Sequence, residues 1–103
     1  MITRIIKFRI KEGFENQFNT LIKRFKDELI SFDGLHHLDI LREKEDKMSV
    51  FILMIFVNDA KLYSFRRSDL NKVVKNQLKN ITTTEPLAWM VETIDNEDDK
   101  GND

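Results

Sequence analysis

Two histidines, His36 and His37, are the chain's only imidazoles, and they stand side by side. In an extended segment neighbouring side chains point to opposite faces, so the pair cannot share one metal ion. His37 falls with Asp39, and His36 with Leu38 and Ile40. No third ligand is in sight, and no metal site is expected. Either imidazole can act as a pocket base or hydrogen-bond donor, although a polar place in a sheet or subunit contact explains each more simply. Asn58, Tyr63 and Arg66 are further polar candidates. Their ordinary readings are a helix cap, a packing residue on a helix face and a solvated charge. Lys72, Lys75 and Lys79 share a helical stripe that reads as a solvated face.

Composition closes other routes. With no cysteine there is no disulfide, thiolate metal cage or thiol nucleophile, which fits a reducing cytoplasm. The three glycines are not clustered, so no phosphate-binding loop is expected; neither HExxH nor a Ser/His/Asp arrangement is recognisable. The formal charge is −1, but residues 95–103 hold five acids and one lysine, leaving the remainder mildly basic. That balance is too weak to argue for nucleic acid. The N-terminal segment interleaves Arg4, Lys7 and Arg9 with apolar residues, so it cannot be the apolar core of a signal peptide. The longest apolar run, residues 50–57, is far short of the roughly 20 that a membrane-spanning helix needs. A soluble, cytoplasmic protein is expected.

The elements that must position these residues follow from periodicity. Ile6, Phe8 and Ile10 alternate with Lys7, Arg9 and Lys11, which predicts a strand over residues 2–11. After Gly13, Phe14, Phe18, Leu21, Ile22, Phe25 and Leu29 make one helical stripe, ending near Phe32 and the Asp33-Gly34 turn. Residues 35–41 and 49–57 read as strands around a mixed-charge hairpin tip that water should solvate. Asn58 caps a second helix, which Ser68 restarts after a break near Arg67. Pro86 ends the next loop, and residues 87–94, including Trp89, form the last strand. Residues 1–94 thus make one α+β domain in βαββαβ order. This is the ferredoxin-like arrangement: four antiparallel strands with two helices on one face. Residues 95–103 form an acidic tail with little to bury, expected to be disordered.

Val50-Phe51-Ile52-Leu53-Met54-Ile55-Phe56-Val57 is apolar at every position, whereas a strand covered on one side should alternate. Helices cover only one face of this fold, so Phe51, Leu53, Ile55 and Val57, or the opposite set, would stay in water. At about 1.5–3 kcal/mol each, that forfeits roughly 6–12 kcal/mol, comparable with the whole stability of a small domain. A second copy packed sheet against sheet is the simplest cover.

Gly13 opening the first helix, Phe32-Asp33-Gly34 before the second strand, His37-Leu38 within it, Ser68, and Pro86-Leu87-Ala88-Trp89 near the end together resemble the antibiotic biosynthesis monooxygenase family. The likeness implies a dimeric α+β barrel with a small apolar pocket between helices and sheet. It also implies oxidation of a small quinol or phenol by molecular oxygen without a cofactor. On that reading His36, His37, Tyr63 and Asn58 are the catalytic candidates, while Phe56, Met54, Trp89 and Arg66 line the pocket. The family's tryptophan near the end of strand three is Phe56 here, which keeps an aromatic wall and loses an N–H donor. In the haem-degrading subgroup the positions that serve the haem correspond to Ile6, Phe56 and Lys75, and lysine is a poor axial ligand, so haem degradation is not expected. The alternative is a non-catalytic homodimer that binds a small hydrophobic ligand or serves as a scaffold. RNA binding on the sheet lacks the aromatic stacking motif and would expose the apolar face.

Overall fold

The computed structural model describes residues 1–83 and 85–95. In chain order it contains β1 (Ile2–Arg9), α1 (Glu15–Ile30), β2 (Leu35–Arg42), β3 (Ser49–Phe56), α2 (Asp59–Arg66), α3 (Asp69–Lys79) and β4 (Leu87–Glu92). The strands form one antiparallel sheet in the order β2-β3-β1-β4, as the βαββαβ reading requires. The expected break in the second helix is real and separates α2 from α3. Asn58 Oδ1 accepts the Lys61 backbone N–H at 2.9 Å, and Ser68 Oγ accepts that of Asn71 at 3.1 Å. Each cap satisfies an N–H that the first helical turn leaves free. Beyond Asp95, the acidic tail lies outside the described residues.

The core lies between the helices and one face of the sheet. Val50, Ile52, Met54 and Phe56 are buried there beside Phe8, Phe18, Leu21, Phe25, Leu62 and Phe65. Aromatic edges set the spacing: Phe8 meets Phe18 at 5.8 Å, and Phe65 lies between Phe32 at 5.2 Å and Phe56 at 5.5 Å. Gly34 adopts φ +93, and its carbonyl accepts the Val57 N–H at 2.9 Å, locking the entry of β2 against the exit of β3.

The hairpin tip is solvated as expected at Arg42, Lys44, Glu45 and Lys47, while Asp46 accepts hydrogen bonds from Arg9 Nε at 3.1 Å, Ser49 Oγ at 2.9 Å and Met48 N at 3.1 Å. One expectation changes. The final strand is shorter than residues 87–94 and is exposed along its whole length, with Trp89 45% exposed. Trp89 is therefore neither core nor wall of an enclosed pocket in the single chain. The physical reason is position: β4 is an edge strand beyond the reach of the helices.

Candidate functional site

Because residues paired across antiparallel strands share a face, the register assigns each side chain to one side of the sheet. Away from the helices, three rows cross all four strands. They are Leu87-Lys7-Phe51-Leu41, then Trp89-Ile5-Leu53-Asp39, then Val91-Thr3-Ile55-His37. Most of these side chains are apolar, and none is fully buried. This identifies Phe51, Leu53 and Ile55 as the set left without helical cover, with Val57 following at 42% exposed. The polar members pair locally: His37 Nε2 lies 2.9 Å from Asp39 Oδ2, and Lys7 Nζ sits 5.4 Å from the centre of the Phe51 ring.

Toward the helices the rows read Ala88-Ile6-Ile52-Ile40, Met90-Arg4-Met54-Leu38 and Glu92-Ile2-Phe56-Leu35. Arg4 is the only cation in these rows, set between two methionines, and it is 9% exposed. Among the described residues, its Nε and Nη1 are buried and have no hydrogen-bond partner. Burial, with the Arg66 guanidinium adding to it, holds the Arg4 pKa below the ordinary arginine value. Arg66 is the last residue of α2, and its carbonyl accepts a hydrogen bond at 3.1 Å from Nδ2 of the buried Asn71 in α3. Arg66 thus stands, exposed, at the α2–α3 junction.

Sequence reasoning placed Arg4 among the charges that interleave with apolar residues and so missed it. Its phase was the available signal, since Arg4 shares parity with Ile2, Ile6, Phe8 and Ile10, not with Lys7 and Arg9.

The residues singled out from the sequence are dispersed. His36 is the extra residue of a bulge between Leu35 and His37, and both histidines border a shallow concavity of about 170 Å³ with Ile30, Leu35 and Leu38. The bulge breaks the simple alternation that put it with Leu38 and Ile40. Asn58 caps α2, beside a different concavity formed with Met1, Ile2, Val57 and Glu92. Tyr63 is 57% exposed on α2. Met54 and Phe56 are core residues, 2% and 0% exposed, on the face of the sheet opposite Trp89 and His37. Of the pocket-lining candidates, Met54 is the register partner of the buried Arg4 on β3, and Arg66 lies at the α2–α3 junction. Of the positions weighed for haem, Ile6 and Phe56 belong to the helix-facing layer and Lys75 is exposed. Among the described residues no three His, Asp or Glu side chains converge as metal ligands, and no helix is long and apolar enough to cross a membrane. A surface groove of about 510 Å³ runs between α1 and β2 and contains none of the catalytic candidates.

A sequence model described as antibiotic biosynthesis monooxygenase matches residues 1–76. No curated protein matches the chain. Among solved structures, an antibiotic biosynthesis monooxygenase superposes with a TM-score of 0.83 at 9% identity, covering 92% of this chain and 100% of its own. A conserved protein from Methanosarcina mazei Go1 gives 0.81 at 20% identity, with coverages of 88% and 91%. A variant of SnoaB, a cofactor-independent oxygenase from Streptomyces nogalater, gives 0.80 at 12% identity, with coverages of 92% and 94%. At these identities the structural likeness establishes the fold alone.

Proposed function

The chain belongs to the antibiotic biosynthesis monooxygenase family, and on that premise we propose a cofactor-independent monooxygenase that acts, as a homodimer, on a small quinol or phenol. The observation that carries the reading is the extent of the family match. Residues 1–76 take in β1, β2, β3, α1, α2 and most of α3, the elements that enclose the helix-facing layer around Arg4. The similarity in fold to a cofactor-independent oxygenase supports the same chemistry.

Such a reaction draws its electrons from the substrate. A quinol that reacts with dioxygen keeps one oxygen atom on the ring and yields a hydroxyquinone, while the other atom leaves as water with two substrate hydrogens. The protein's part is to take a phenolic proton, stabilise the resulting anion and exclude bulk water. His36, His37, Tyr63 and Asn58 are the proposed proton-transfer and hydrogen-bonding groups, with Met54, Phe56, Trp89 and Arg66 as surroundings. A second copy on the uncovered sheet face would close off the His37 and Trp89 side from water.

One observation favours a second reading, a homodimer that binds a small hydrophobic ligand without turnover: within one chain Asn58 and Tyr63 sit apart from the concavity that His36 and His37 border. Oxygen uptake by the purified, metal-stripped protein with a panel of quinols separates the two. Uptake with a hydroxyquinone product is expected, reduced at least about tenfold when His36, His37 and Tyr63 are replaced together. Uptake unaffected by that triple replacement would remove catalysis from these residues. Ligand binding without uptake would establish the second reading.

A further inference from the structure

We infer that Arg4, with Arg66 at the α2–α3 junction adding positive charge, forms a binding subsite for the anionic group of a small aromatic ligand, a carboxylate or a phenolate. This deepens the reading above by naming the ligand's class, and it rests on that reading only for the fate of the ligand once bound.

A charge inside an apolar layer is costly unless it is paired and hydrogen-bonded. Arg4 is buried between Met54 and Met90, and its Nε and Nη1 have no acceptor among the described residues. The ion pairs found there, Arg9–Asp46 and Lys61–Asp33, and the His37–Asp39 hydrogen bond leave both Arg4 and Arg66 without a carboxylate. Glu92 faces the same side one row away and makes no ion pair with Arg4. The charge of Arg66 adds to the cost of burying Arg4, and an anion at Arg4 relieves both that repulsion and the missing acceptors.

Access follows from the sheet's asymmetry. On the β3 side of Arg4 the layer is sealed, with Met54 2% exposed; on the β4 side Met90 is 44% exposed and Ala88 is open. A planar ligand can rest on Met90, whose thioether suits an aromatic ring, while its anionic oxygens reach Arg4. Arginine's fixed fork of donors matches a carboxylate through two hydrogen bonds and a phenolate through one or two.

The test measures binding without turnover, so it can fail independently of oxygen uptake. Benzoate and 4-nitrophenolate serve as carboxylate and phenolate probes, benzamide as the neutral control and chloride at equal ionic strength as the salt control. Calorimetry and thermal unfolding are expected to show binding of one or both aromatic anions and none of benzamide. Benzoate binding alone assigns a carboxylate ligand. A lowered apparent pKa of bound 4-nitrophenol, read from its absorbance, assigns a phenolate. Arg4→Met should abolish the response, and Arg4→Lys, which keeps the charge without the fork, should weaken it at least about tenfold. Arg66→Gln should weaken it by about threefold. If Arg4→Met does not fold, Arg4→Lys and the pKa of bound 4-nitrophenol carry the test. Indifference of the wild type to both anions, or an Arg4→Met protein that binds them as tightly, would overturn the proposal. So would a response that appears only in Glu92→Gln, or only when Asp95, Glu97, Asp98 and Asp99 are neutralised, because the chain's own carboxylates would then be the partner.

Discussion

Replacing Leu53 with lysine asks directly what the exposed side of the sheet is for. Leu53 stands in the middle row of that face, between Ile5 on β1 and Asp39 on β2. Around it Leu41, Leu87, Trp89 and Val91 remain 46%, 58%, 45% and 43% exposed. If complete burial of such a side chain is worth about 1.5–3 kcal/mol, roughly half is still to be gained, near 1 kcal/mol each. A symmetric pair counts that gain twice, for about 8 kcal/mol, with smaller additions from the half-buried Phe51, Leu53 and Ile55. Association costs of about 4–15 kcal/mol stand against this, so the pair forms only if the patch stays dry throughout. A lysine at position 53 must lose its water in both copies, at several kcal/mol each, and the dimer should weaken at least about a thousandfold. In the free protomer the same ammonium keeps its solvent and has Asp39 directly across the strand pair, so the monomer should stay folded. Sedimentation velocity over about 1–100 μM should show the wild type at twice 12.3 kDa and Leu53→Lys at 12.3 kDa, with unchanged circular dichroism. A wild type that stays at 12.3 kDa, or a Leu53→Lys protein that dimerises as tightly, would refute the reasoning.

Two further perturbations probe the scaffold. The hydrogen bond from Arg9 foremost, then those from Ser49 and the Met48 N–H, hold the Asp46 carboxyl below its usual range. A depressed carboxylate pKa stabilises the fold above the unfolded-state value and loses that contribution as pH falls through the folded value. Acid unfolding should therefore steepen below about pH 4 in the wild type and flatten in Asp46→Asn; an identical acid limb in both would contradict this. At Gly34, a side chain would have to adopt φ +93 and drive its Cβ into the side chain of Lys61. Gly34→Ala should cost about 1–2 kcal/mol and lower the unfolding midpoint by several degrees, disturbing the Lys61–Asp33 ion pair as well; an unchanged midpoint would show that the turn relaxes freely.

What could be read from the residues depended on how local the governing interaction was. The helix break was legible because Asn58 and Ser68 act within their own first turns. The uncovered sheet face was legible because β3 is apolar at positions of both parities, which one layer of helices cannot shelter. Trp89 misled because burial of an edge strand depends on how far the helices reach, and nothing within residues 87–92 encodes that. His36 misled because one extra residue in a bulge shifts the alternation, and only the pairing of Leu35 with Phe56 and of His37 with Ile55 reveals it.

Arg4 has the opposite character. Its position in the buried phase of β1 was visible in the sequence, and what the structure adds is that nothing among the described residues answers its charge. A methionine there would match its neighbours Met54 and Met90, fill similar space and avoid the desolvation of a guanidinium. Selection for folding alone would favour that exchange. An arginine that breaks the local pattern, with bare donors and the charge of Arg66 adding to the cost of burial, is the kind of inconsistency expected where a chain serves a ligand at some cost to its own stability.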